Sequence, residues 1–166
     1  MGTWDTIQHT IAAEFSDLGS AREVTQLVVR LLVAAFLGGL LGLERELQGK
    51  AAGIRTHMLV ASSSALIVVV PLQMGFEGDA LSRVLQGLLA GIGFLCAGAI
   101  LKLEREEQVT GLTTAASVWM TSAIGIAAGL GREMTAALAT LLVLFILWLE
   151  RPLQRAGLKP TQKPDD

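Results

Sequence analysis

The side chains of this sequence that could do chemistry fall into two matching sets. Leu43-Glu44-Arg45-Glu46 recurs as Leu103-Glu104-Arg105-Glu106, and each run precedes a helix start: Gly53-Ile54-Arg55-Thr56 after the first, Gly111-Leu112-Thr113-Thr114 after the second. The carboxylates offer hard oxygen ligands, which magnesium accepts while keeping several of its waters. The guanidinium groups of Arg45, Arg55 and Arg105 offer forked donors toward which those carboxylates could turn. Each helix start adds unpaired N–H groups and about half a unit of positive charge. Thr56, Thr113 and Thr114 could cap those N–H groups, and Glu44, Glu46, Glu104, Glu106 or Glu107 could turn toward them. Interleaved Arg45, Lys50, Arg55, Lys102 and Arg105 offset much of the field that a divalent cation needs. The expectation is no bound cofactor and, at most, weak magnesium binding at these carboxylates. A plainer reading stands beside it: such charges stop apolar spans at the membrane surface and set their orientation.

The elements that must position these sets form a membrane bundle. With 52% hydrophobic and 17% charged residues, the chain is too apolar for an ordinary soluble domain. Its charges cluster and leave five apolar runs, 25–43, 56–74, 84–103, 112–130 and 133–150, each near the roughly 20 residues that a bilayer crossing needs. These predict an all-α integral membrane protein of five transmembrane helices, with a transmembrane domain over 24–151. Gly129-Leu130-Gly131-Arg132-Glu133 is a turn too short for anything but adjacent antiparallel helices. Ahead of the bundle, Trp4, Ile7, Ile11, Phe15 and Leu18 recur at helical spacing, so 1–23 reads as an amphipathic segment lying in the membrane interface. Asp5, Glu14 and Asp17 break the pattern of a cleavable signal peptide. Residues 152–166 read as a cytoplasmic tail, disordered from Pro160 onward.

Orientation follows from Lys and Arg in the loops. Arg45, Lys50 and Arg55, then Lys102 and Arg105, then Arg151, Arg155, Lys159 and Lys163 share one side; Arg22, Arg83 and Arg132 share the other. The C-terminus is therefore expected in the cytoplasm and the N-terminus in the periplasm. Both chemical sets then lie on the cytoplasmic face. Because the two copies run the same way through the membrane, they predict a parallel repeat, helices one and two matching three and four, with the fifth added.

Inside the membrane, polar groups are few. Arg30 interrupts the first span, where it could anchor at headgroups, pair with Glu77 or Asp79, or serve transport; Gln86 is its nearest polar counterpart in depth. Ser62-Ser63-Ser64 could bond across helices or return to their own backbone. Cys96 reads as a small packing residue. Gly38 and Gly42, Gly87 and Gly91, and the neighbouring Gly93 and Gly98 supply the small residues that let membrane helices approach, within a protomer or between protomers of a homodimer.

An enzyme is not expected. His9 and His57 fall on opposite predicted sides, and no nucleophile constellation or phosphate-cradling loop occurs. The net charge of −2 gives nucleic acid no basic face to bind.

Gly42-Leu43-Glu44-Arg45-Glu46, Ala52-Gly53-Ile54-Arg55-Thr56-His57, Gly91-Ile92-Gly93-Phe94-Leu95 and Gly111-Leu112-Thr113-Thr114-Ala115-Ala116 with Trp119 occur in an order that resembles the MgtC/SapB family, over residues 25–150. Cys96 and Thr113 depart from the family's usual Gly and from the Asn of its best-known virulence-associated member. The resemblance implies a bacterial inner-membrane protein tied to growth at low magnesium and, in pathogens, to survival in host cells. It implies a regulator of other inner-membrane proteins, the proton-translocating ATP synthase among them, with a magnesium or other cation transporter or channel as the alternative. Many members add a soluble C-terminal domain, for which no counterpart is expected in this sequence. The residues assigned to a shared cytoplasmic site are Glu44, Arg45, Glu46, Arg55 and Thr56 with Glu104, Arg105, Thr113 and Thr114.

Overall fold

The computed structural model of the chain describes residues 2–16, 19–101 and 111–155. They form six helices: α1 (Thr3–Glu14), α2 (Ala21–Leu47), α3 (Ile54–Gln73), α4 (Gly78–Leu101), α5 (Leu112–Gly129) and α6 (Glu133–Arg155). No strand occurs among the described residues. α2, α3, α4 over Gly78–Ile100 and α5 are long and apolar enough to cross a bilayer, while the apolar stretch of α6, Glu133–Leu149, is shorter. This is an all-α membrane protein. α1 buries none of its residues, leaving Trp4, Ile11 and Phe15 exposed. The segment 102–110, which carries Glu104, Arg105, Glu106 and Glu107, and the tail from 156 lie outside the described residues.

Short turns fix the helix order. α2, α3 and α5 all end in the same way, with a glycine at positive φ just past the last turn: Gly49, Gly75 and Gly131. At α2, the Lys50 N–H reaches back to the Arg45 carbonyl at 3.0 Å and the Gly49 N–H to Glu46 at 3.0 Å. This pair of bonds closes the carbonyls that a helix end leaves open. The α5 end repeats it, Arg132 to Ala127 and Gly131 to Ala128, both at 2.9 Å.

The bundle is organised around small residues on α3 and α5. Ala61 and Ala65 of α3 are fully buried, as is Ala128 of α5, and Ala34, Leu37 and Leu41 of α2 and Ala136, Val143 and Leu147 of α6 close the core around them. Gly125 lies so close to α3 that an added Cβ would strike the Ala61 carbonyl, and one at Gly129 would sit 2.7 Å from the Ala65 carbonyl. These pairs rise together along both helices, so α3 and α5 run in the same direction. On the other side of α3, a Cβ at Gly38 would fall 2.6 Å from the His57 carbonyl and one at Gly42 2.6 Å from Ile54 Cα. Here one register rises as the other falls, which makes α2 and α3 an antiparallel hairpin. Where lipid and helix interior are equally apolar, such close backbone approach supplies the dispersion that holds helices together.

α4 joins differently. Its buried stripe is Leu88, Ile92, Cys96 and Ile100, spaced by four, packed with Ala52 and Val60 and with Ala115 and Val118 of α5. That stripe turns the glycines outward: a Cβ at Gly87, Gly91, Gly93 or Gly98 would meet nothing within 4 Å. Within one chain, therefore, Gly38 and Gly42 are packing positions, and Gly87, Gly91, Gly93 and Gly98 of α4 are not. Sequence reasoning passed over Gly125 and Gly129, although Gly125-Ile126-Ala127-Ala128-Gly129 carries the small-xxx-small spacing in its plainest form.

Candidate functional site

The last turn of α2 sorts three consecutive charges. Arg45 is fully buried and Glu44 nearly so. The Arg45 Nε and Nη2 both lie 2.5 Å from Glu44 Oε2, forming a buried ion pair between neighbours. Glu46, about 200° further round the helix from Glu44, faces outward and does different work. Its Oε2 accepts from the Ile54 N–H at 2.9 Å, capping α3 across the turn. Gly53 has no side chain to cap with, and a Cβ there would lie 2.5 Å from that same oxygen. α2 thus provides from a distance the acceptor that a Ser or Asp at the helix start usually provides locally.

One turn into α3, His57 is fully buried. Its Nδ1 lies 3.0 Å from the Gly53 carbonyl, an acceptor only, so Nδ1 carries a proton. Nε2 faces Ser117 Oγ of α5 at 3.2 Å, and that hydroxyl also lies 2.8 Å from the Thr114 carbonyl. A neutral ring needs the single Ser117 hydrogen at Nε2; a protonated ring donates to Ser117 and frees that hydrogen for Thr114. The ring and the hydroxyl thus tie the start of α3 to α5. Deeper in the bundle, Ser64 and Ser122 share a 2.9 Å hydrogen bond between α3 and α5, while Thr121 and Thr140 return their hydroxyls to their own helices at 2.8 Å.

Of the residues singled out from the sequence, Glu44, Arg45 and Thr114 are buried at this end of the bundle, and Glu46 caps α3. Arg55, Thr56 and Thr113 are exposed, and Glu104 and Arg105 lie outside the described residues. Among the described residues, no three His, Cys, Asp or Glu side chains group closely enough to hold a metal ion. His57, Ser117 and the Ser64–Ser122 pair were not singled out as a site. The available signal was thermodynamic: a buried polar group costs stability unless bonded, so His57 at the head of an apolar span calls for a partner on a facing helix.

Arg30 and Gln86 each find a separate partner. Arg30 Nη1 donates to the carbonyl of Gly129, the last residue of α5, at 3.0 Å; its expected acidic partners Glu77 and Asp79 are exposed and form no ion pair with it. The partial negative charge of a helix C-terminus explains the choice. Gln86 is exposed, and its Nε2 donates to Ser82 on its own helix at 3.3 Å.

The chain is 44% identical to SrpB of Synechococcus elongatus over 76% of its own length and 75% of that protein. It is 36% identical to YhiD of Escherichia coli, whose name proposes a magnesium transporter, over 74% of this chain and 59% of YhiD. It is 38% identical to MgtC of Salmonella typhimurium over 70% of this chain and 49% of MgtC. The chain thus spans about half to three-fifths of the length of the latter two. No solved structure gives a significant match. The family model described as the MgtC family matches residues 31–156, which take in α3, α4, α5 and α6 entire and most of α2. On that match and on these identities, the chain belongs to the MgtC family.

Proposed function

We propose that this chain is a regulatory membrane module that acts on partner proteins of the bacterial inner membrane, the proton-translocating ATP synthase among them, during adaptation to low magnesium or acid stress. The observation that carries this reading is the outward face of α4. Gly87, Gly91 and Gly98 leave its backbone open, and Phe94 beside them is 84% exposed. A helix that keeps glycines where its own chain has no use for them offers a close-approach surface to another helix. The partner is a second inner-membrane protein, or a second copy in a homodimer, with the N-terminus periplasmic and the C-terminus cytoplasmic. Magnesium is on this reading a signal, meeting only weak contacts at surface carboxylates. The test is photo-crosslinking from position 94 in cells grown at low magnesium. Protein adducts that vanish with Gly91→Leu support the reading; adducts to lipid alone, from a chain that still restores growth, overturn it.

A second reading, transport of magnesium or another cation, rests on the name of YhiD and on the hydroxyls of Ser64, Ser117, Thr121 and Ser122 buried between α3 and α5. Saturable magnesium influx into liposomes holding the purified chain would favour it over regulation, and no influx from folded protein would remove it.

A further inference from the structure

Where α3 and α5 end, α2 presents Glu23, Gln26 and Arg30 on one face at spacings of three and four. With Leu72 and Gln73 at the end of α3 and Leu130 just past α5, they line an open cleft of about 500 Å³. Three features of this cleft point to a ligand. First, Arg30 spends one N–H on the Gly129 carbonyl, whereas a guanidinium has five. The rest of the guanidinium lies beside Gly131 and lines the cleft, at the level where two apolar helices stop, which is where a bilayer's phosphates lie. Secondly, Glu23 and Arg30 share the cleft, yet among the described residues neither forms an ion pair. Seven residues of helix hold them roughly 10 Å apart. Thirdly, the remaining lining is two primary amides and two leucines, with no aromatic ring.

An acid and a base that far apart, across a polar cleft with an apolar wall, match a zwitterion with an apolar tail. A phosphoethanolamine head with a charge-assisted hydrogen bond at each end spans a similar distance, roughly 10 Å. The phosphate suits Arg30, which takes it through a fork of N–H groups. A primary ammonium can donate to the Glu23 carboxylate and the Gln26 carbonyl oxygen; a quaternary choline cannot donate at all and is held by aromatic rings where proteins select it. A glycerol head leaves Glu23 without a cation.

We propose that this cleft binds the headgroup of an ethanolamine phospholipid, phosphate on Arg30 and ammonium on Glu23, so that the lipid is tied to the end of α5 through the arginine that caps it. The test is native mass spectrometry of the full chain released from bilayers of equal phosphatidylethanolamine, phosphatidylcholine and phosphatidylglycerol, with free phosphoethanolamine as competitor. The ethanolamine lipid should be retained over the other two, and Glu23→Gln should reduce that preference about tenfold while leaving helicity unchanged, since Glu23 is exposed. Arg30→Lys should weaken retention of all three phosphates. Equal retention of the three lipids, a preference untouched by Glu23→Gln, or displacement of the lipid by micromolar free phosphoethanolamine would each overturn the proposal, the last by making the ligand a soluble one.

Discussion

Ser64 and Ser122 each stand eleven residues beyond the glycine that opens their helix, Gly53 or Gly111, and the two hydroxyls bond to one another at 2.9 Å. The bond joins α3 and α5, which run in the same direction, at matching distances from their starts. A cycle of Ser64→Ala, Ser122→Ala and the double variant should return a coupling of about 0.5–1.5 kcal/mol, read from unfolding in mixed micelles; either single variant leaves the other hydroxyl its own backbone carbonyls as a fallback.

Glycines on two helices should respond oppositely to the same change. Gly125→Ala places a methyl against the Ala61 carbonyl and should cost about 1–3 kcal/mol by forcing α3 and α5 apart. Gly91→Ala meets nothing and should be neutral or gain up to about 1 kcal/mol from helix propensity. Thermal unfolding of the two purified variants, side by side, checks the contrast.

Arg45 and Arg55 carry the same charge to different ends. Arg45→Ala leaves Glu44 buried without its neighbour and should destabilise by about 3–5 kcal/mol, with poor accumulation in the membrane. Arg55→Ala, at an exposed position, should fold like the parent, within about 0.5 kcal/mol. Growth at low magnesium then separates the cases. A defect in a well-folded Arg55→Ala variant would place Arg55 in the partner-facing surface, and normal growth would leave it with topology alone.

Glu46 is expected to act as an acceptor more than as a charge. Glu46→Gln keeps an oxygen for the Ile54 N–H and should cost a few tenths of a kcal/mol; Glu46→Ala should cost about 1 kcal/mol and speed protease cleavage in the turn at 48–53. Limited proteolysis of the purified chain would report both.

The spans were legible because apolar length is written directly in composition, and Gly38 and Gly42 marked a packing face without naming α3 as what packs there. What was not legible depended on helical phase. Glu44, Arg45 and Glu46 look alike in sequence, yet a turn of 100° per residue buries two and exposes the third, and only the neighbouring α3 decides which. The α4 glycines show the same gap: spacing says that a close approach is possible there, not what approaches. Arg30 was read against the acids Glu77 and Asp79, whereas its partner is a backbone carbonyl, a kind of group that every residue carries and no sequence displays.

The hydrogen bond at the centre of the bundle also constrains how the chain is made. Ser64 and Ser122 are separated by 58 residues, so at ordinary synthesis speeds α3 waits roughly 3–12 s for α5. During that interval its hairpin with α2 can form, but His57 and Ser64 have no α5 to meet and must find water, lipid headgroups or the insertion machinery instead. α3 is thus the helix on which delayed or faulty emergence of the second half is expected to tell first, through slippage toward the membrane surface or early degradation, before any activity of the finished protein is lost.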